Sequence, residues 1–319
     1  MKTKLLYSLL LLCLLAGFSF RVPRQNQRAE LVLDAKAKLG EGALWHPTEK
    51  KLYWVDINGE ALHIYDPATK KDKKFPTGSR VGTVVPVEGG GALVALQSGI
   101  HKIDTKIGKL TLIANPIAGD DKMRFNDGKC DPGGRFWVGT MATDGRKEVA
   151  ALYRMDKDKQ VHQVLDKVTT SNGIVWTADK KTMYYADTPT RMVQAFDYDN
   201  KTGEISNGRV AFRIPASTGG APDGMTMDAE GKLWIALWGA GAVTRWDPET
   251  GEMLQKIEVP APETTSCAFG GENLDILYIT TAQEWISPEN LQKYPLSGGL
   301  FAVKPGVKGV KAEFYKGKL

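Results

Sequence analysis

A single phrase recurs along this chain. It opens with a few turn residues, passes into a short strand of aliphatic and aromatic residues, and is followed by a second strand closing near an aspartate. The first copy is Leu52-Tyr53-Trp54-Val55-Asp56 followed by His63-Ile64-Tyr65-Asp66. Further copies centre on Val94, Trp137, Tyr184, Trp234 and Tyr278, at successive spacings of 40, 43, 47, 50 and 44 residues. Short apolar runs bounded by Gly, Lys and Asp read as strands rather than helices. A strand-and-hairpin unit repeating at this length is the signature of a β-propeller blade. Six copies predict an all-β, six-bladed β-propeller. A lone blade cannot bury both faces of its sheet, whereas a closed ring covers every face with a neighbour. The segment 21–319 is therefore read as a single domain. No long stretch shows helical periodicity, and the nearest candidate, Pro288 to Lys293, reads as a loop. A pair of β-sandwiches would leave six copies of one phrase unexplained.

Composition narrows the picture. Of 319 residues, 34 are Gly and 8 are Trp, as expected for tight turns between aromatic-bearing strands. Residues 1–20 read as a secretory signal peptide: Lys2 and Lys4 precede an apolar run from Leu5 to Phe20, with Gly17 and Ser19 near its end. That run has 16 residues, short of the ~20 that a membrane-spanning helix needs. Leu12 precedes Cys13 where a lipid-attachment site would show a small residue. The expectation is an exported protein, periplasmic or secreted, with no membrane span in the mature chain. Without Lys2 and Lys4 the charge falls from +5 to +3, too little to imply a nucleic-acid partner. Lys70, Lys71, Lys73 and Lys74 read as a solvated turn. Cys130 and Cys267 should lie on opposite sides of the ring as free, buried thiols. The four histidines form no close pair, which excludes a zinc-finger or zinc-protease site.

In a propeller the innermost strands converge on the axis, so chemistry should lie just before each phrase. The segments there include Gly40-Glu41-Gly42, Arg124-Phe125-Asn126-Asp127-Gly128, Ser171-Asn172-Gly173, Pro222-Asp223-Gly224 and Thr264-Thr265-Ser266. Four of the six positions carry Glu, Asn or Asp beside Gly. These are hard oxygen donors, suited to Ca²⁺, Mg²⁺ or Mn²⁺ over copper, with Zn²⁺ acceptable. Glu41 and Asp223 would balance a divalent charge; without a cation they would repel, and one would take up a proton. By contrast Asn58-Gly59, Asp144-Gly145 and Asn207-Gly208 read as ordinary turns.

Several of these motifs are long and order-specific. Arg124 to Lys129, Gly139-Thr140-Met141, Ser171-Asn172-Gly173, Pro222-Asp223-Gly224-Met225, Asp228 to Trp234 and Thr264 to Gly271 closely resemble the regucalcin (senescence marker protein) and gluconolactonase family, from about Glu30 onward. The resemblance implies a six-bladed propeller with one divalent cation on its axis, Ca²⁺ first among Zn²⁺, Mn²⁺ and Mg²⁺. It assigns Glu41, Asn172 and Asp223 as metal ligands and Arg124 and Asn126 as substrate-binding residues. It implies hydrolysis of a sugar lactone to an aldonic acid. The sequence departs from the animal pattern after Met141, where Asp144 alone could replace an acidic substrate contact. The loop Leu237 to Gly241 also differs, and Trp238 there could stack on a sugar or pack within its blade.

The implied chemistry suits the residue types. A cation can polarise a lactone carbonyl and activate water. Asp223 is the expected general base and proton shuttle. Arg124 can donate to sugar hydroxyls or to developing charge. Neither a Gly-x-Ser-x-Gly elbow nor a Gly-x-Gly-x-x-Gly loop after a strand occurs, which disfavours serine-hydrolase and nucleotide chemistry. Two other classes stay open: a propeller esterase acting on other lactones or organophosphates, and a non-enzymatic calcium-binding propeller.

Overall fold

The computed structural model of the chain describes residues 27–319. The expected signal peptide, 1–20, lies outside the described residues. Six sheets built on four antiparallel strands surround a common axis; five follow chain order, and the sixth takes its outermost strand from the start of the described chain. Blade one is built from Gly40–His46, Lys51–Asp56, Ala61–Asp66 and Lys71–Pro76. The innermost strands of blades two to six are Val81–Pro86, Met123–Cys130, Ser171–Trp176, Ala221–Met227 and Thr264–Gly270. Burial falls outward along every blade. Gly40–His46 is buried at all seven positions, whereas Lys71–Pro76 is mostly exposed.

The ring is closed by pairing distant parts of the chain. Glu30–Leu33 lies antiparallel to Leu300–Val303 as the outermost strand of blade six. Gln27–Arg28 adds a short parallel strand to the edge of blade five. Closure leaves no blade face open, which is why single-copy strand phrases can be buried on both sides.

All six innermost strands break register with their neighbours near their first residues. The irregularities fall between Glu41 and Leu44, Val81 and Val84, Phe125 and Gly128, Ser171 and Ile174, Pro222 and Met225, and Thr264 and Ser266. An extra residue on one strand re-aims side chains and sharpens twist. The bulges coincide with the Glu-Gly, Asn-Asp-Gly, Asn-Gly and Asp-Gly signals. Glycine there is a matter of space: a Cβ on Gly173 would sit 2.5 Å from the Met225 Cβ, and one on Gly224 would strike Ser266 of the next blade.

A turn motif explains why two blades carry the pattern Asp, then Gly, then Trp. Asp131 accepts from the Arg135 backbone N–H at 2.8 Å and from Trp137 Nε1 at 2.9 Å. Asp228 accepts from the Lys232 N–H at 3.0 Å, from Trp234 Nε1 at 2.9 Å and from Arg245 Nε at 2.7 Å. Both aspartates are buried, so each buried charge is fully hydrogen-bonded.

Three expectations need correction. Lys71, Lys73 and Lys74 lie on the outermost strand of blade one rather than on a turn, where exposed lysines protect a sheet edge. Asn207-Gly208 lies inside the strand Ile205–Arg213; Asn207 has φ of +51° and the pairing slips there, so the signal marks a bulge. Pro288–Lys293 is a one-and-a-half-turn α-helix, started by Pro288 and by Ser287 accepting from the Asn290 N–H. Cys130 and Cys267 are free and buried in blades three and six. Among the described residues no helix is long and apolar enough to cross a membrane.

Asp228→Ala should leave Arg245 and the Trp234 indole without their shared acceptor. The expected loss is about 3 kcal/mol, seen as a melting temperature lower by about 5 °C in calorimetry.

Candidate active site at the axis

The bulges bring buried polar groups from four blades into one place. Glu41, Arg124, Asn126, Asp127, Asn172 and Asp223 are all 4–6% exposed. The inner strands are tied to one another there. Thr83 donates to the Gly128 carbonyl, Asn126 Nδ2 to the Ser171 carbonyl at 2.7 Å, and Thr265 Oγ1 to the Gly40 carbonyl. The frame is therefore rigid, and side chains can be aimed without help from solvent.

Arg124 is held in one pose. Its Nη1 donates to the Phe125 carbonyl at 2.9 Å and to Asn126 Oδ1 at 2.7 Å. Burial pulls its pKa down to about 10, against the attraction of Glu41, so it stays a cation at neutral pH. Asn126 is a bracket between Arg124 and Ser171, with one N–H and one lone pair to spare. Asn172 Nδ2 donates to Thr188 Oγ1 at 2.8 Å, and Thr188 in turn donates to the Pro222 carbonyl. That chain turns the Asn172 amide oxygen away from the frame, and Oδ1 is buried without a partner.

The carboxylates are in electrostatic conflict. The Glu41 and Asp223 carboxyl groups are close neighbours, each acting on the other's charge. Burial first, and then the neighbouring Asp127, push the Glu41 pKa up to about 8, although the Gly42 N–H and Arg124 oppose this. Burial and the Glu41 carboxylate push Asp223 far above the ordinary range. Burial also raises Asp127, whose Oδ1 accepts from the Gly128 N–H at 2.8 Å. Asp223 Oδ1 and Asp127 Oδ2 have no donor. Neighbouring buried carboxyls and an orphaned amide oxygen fit a hard divalent cation, which would supply the missing positive charge. Among the described residues no three His, Cys, Asp or Glu side chains form a metal cluster. The two carboxylates here are completed by an amide.

Glu41, Asn172, Asp223, Arg124 and Asn126 thus come together as a set. Asp144 does not join them. It lies in the loop after Phe136–Ala142, at the same end of the ring, but is exposed and bound by Arg146 Nε at 2.8 Å. Arg146 also holds Asp120, which makes this a rim ion pair. Trp238 meets Trp285 edge-on, with ring centroids 5.5 Å apart. Asp127 and Thr188 were missed as site residues. Asp127 was legible as part of its motif, whereas Thr188 carries no signal until the first two strands of blade four are paired, which sets it beside Asn172.

Residues 39–283 match the family described as SMP-30/Gluconolactonase/LRE-like region. The chain belongs to that family. It is 40% identical to regucalcin of Danio rerio, over 91% of this chain and 99% of the relative. It is 39% identical to a Bacillus subtilis protein provisionally named a sugar lactone lactonase, over 86% of this chain and 94% of that one. A calcium-binding regucalcin from Agrobacterium tumefaciens superposes with a TM-score of 0.87 at 27% identity, covering 91% and 98%.

Glu41 has a folded pKa near 8 against an ordinary 4.5, so its protonated form supports the fold fully below about pH 4.5. That contribution is lost as pH rises through 8. Cation-free protein should therefore lose thermal stability between pH 5 and 8, and Glu41→Gln should flatten the trend. Adding Ca²⁺ at pH 7 should release protons, measurable by calorimetry in buffers of differing ionisation enthalpy.

Proposed function

We propose that this protein is a divalent-cation-dependent hydrolase that opens a sugar lactone to its aldonic acid. The observation that carries the reading is the buried pairing of the Glu41 and Asp223 charges near the unpartnered Asn172 amide oxygen, with the Arg124 guanidinium in the same buried space. Family membership supports the reaction class, and the names of the relatives support both the lactone and the cation.

Glu41, Asn172 and Asp223 would hold the cation, Ca²⁺ first among the candidates. When bound, it would polarise the lactone carbonyl and make a nearby water more acidic. Asp223 accepts the proton as the water oxygen bonds to the carbonyl carbon, and returns it to the ring oxygen as the ester C–O bond breaks. Arg124, fixed by Asn126, donates to sugar hydroxyls or to the oxygen that gains charge. Asp144 would meet the substrate only by giving up Arg146, so it is placed on the rim of the site.

The polar pair Arg124 and Asn126 favours a hydroxylated substrate over acyl lactones or organophosphates. The leucine-rich start at 1–20 extends the proposal to location: an exported protein acting where sugar oxidation releases lactones.

Asp223→Ala should lower kcat by about 10³-fold, while Arg124→Ala should raise KM by about 10–100-fold with a smaller change in kcat. Acid release followed in a pH-stat would read both. Full activity in Asp223→Ala would reject the proton-shuttle role. Cation binding with no turnover on any lactone would leave a binding propeller.

A further inference from the structure

The loop 282–299 leaves blade six at the axial-site end of the ring, between the strands Ile276–Thr281 and Leu300–Val303. Blade six stands between blade five, which carries Asp223, and blade one, which carries Glu41. The loop is fastened to both neighbours. Toward blade one, Ala282 bridges Leu39, and the Glu284 N–H donates to the Lys38 carbonyl at 2.9 Å. Toward blade five, Trp285 meets Trp238, which pairs with Ala221 two residues before Asp223. Residues 284 and 285 are therefore held beside the opening of the axial site.

Both side chains reach solvent. Asn58 Nδ2 donates to Glu284 Oε2 and so fixes the carboxylate, while Oε1 is accessible and has no hydrogen bond. The Glu284 charge acts on Arg124, so the carboxylate lies near the guanidinium assigned to substrate. Trp285 is 69% exposed, and its φ of +61° is an uncommon conformation for a bulky residue. An indole set out in water by an unfavourable backbone points to function rather than packing. Edge-to-face contact with Trp238, at an interplanar angle of 71°, orients the ring. Arg80, just before the inner strand of blade two, also acts on Arg124. The opening thus carries charges of both signs and favours a ligand that is polar but uncharged.

We propose that Glu284 and Trp285 are specificity-determining residues that select an uncharged, polyhydroxylated lactone. The proposal rests on the lactone reading of the axial site and names which lactones that site takes. Glu284 Oε1 accepts from a ring hydroxyl, and the Trp285 indole covers the C–H face of the same ring. A lactone without hydroxyls leaves Glu284 unused, and an acidic one brings its charge against the Glu284 carboxylate.

The test is titration calorimetry of the whole protein, with Ca²⁺ present, using glucono-1,5-lactam. This analogue keeps the ring and its hydroxyls, and its amide resists hydrolysis, so binding is read apart from turnover. Wild-type protein should bind it 1:1. Glu284→Ala should weaken that binding about tenfold, and Trp285→Gly about fivefold. Glycine suits a φ of +61°, so the second variant should keep the wild-type melting temperature or exceed it. In hydrolysis, both variants should lose most of the preference in kcat/KM for glucono-1,5-lactone over δ-valerolactone, which has no hydroxyl. Wild-type affinity for the lactam in both variants would overturn the proposal. So would no wild-type binding at millimolar lactam, or an equal loss of activity on both lactones. Lactam binding that depends on both residues, with neither lactone hydrolysed under any cation, would uphold the sugar subsite and reject the hydrolase reading.

Discussion

Six strands that run side by side around one axis have almost no room between them, and that crowding governs the rest of the molecule. It demands glycine where Gly173 meets Met225 and where Gly224 meets Ser266. It places a bulge at the start of every inner strand, because a regular ladder would drive side chains into the neighbouring blade. The same bulges aim the residue beside each glycine at the axis. Packing and chemistry are thus one constraint, and a ring that closes well necessarily gathers polar groups from several blades.

Gathering acids without water has a free-energy consequence. Glu41, Asp127 and Asp223 are all driven toward their protonated forms, chiefly by burial. Elsewhere this protein treats buried acids differently. Asp228 meets Arg245, an indole and backbone N–H groups, and Asp131 meets an equivalent set. The contrast separates structural carboxylates, which have every acceptor used, from the axial ones, which keep unpartnered oxygens. Under the proposed function a cation of charge two would answer the axial arrangement, and Arg124 would add positive charge beside the reacting carbonyl.

Much of this was legible in the sequence, for identifiable reasons. Blade count follows from spacing because each blade is a local unit of hairpins, and local units repeat their turn residues. Glu41, Asn172 and Asp223 were visible because bulge, glycine and oxygen donor occupy adjacent positions in the chain. Short-range ambiguity caused the errors. Asn-Gly suits a turn and a bulge equally, so Asn207-Gly208 was misplaced, and a six-residue helix such as Pro288–Lys293 is too short to show a period. Other features depend on side-chain contacts that exist only once the chain is folded. Thr188 matters through Asn172, Asp144 is engaged by Arg146, and Lys129 joins blade three to blade five. The first and third have no sequence signal because the partners are far apart in the chain, and the second is local but the Asp-Gly turn signal says nothing of Arg146.

The central claim is that the axial acids need a divalent cation to open a lactone. Its most direct test is acid release from a panel of aldonolactones by chelator-treated protein lacking residues 1–20, with Ca²⁺, Mg²⁺, Mn²⁺ and Zn²⁺ restored one at a time. The account predicts the spontaneous rate alone until a cation is added, and then catalysed hydrolysis of at least one lactone. Full activity in the stripped protein would contradict it, as would the spontaneous rate on every lactone with a cation demonstrably bound.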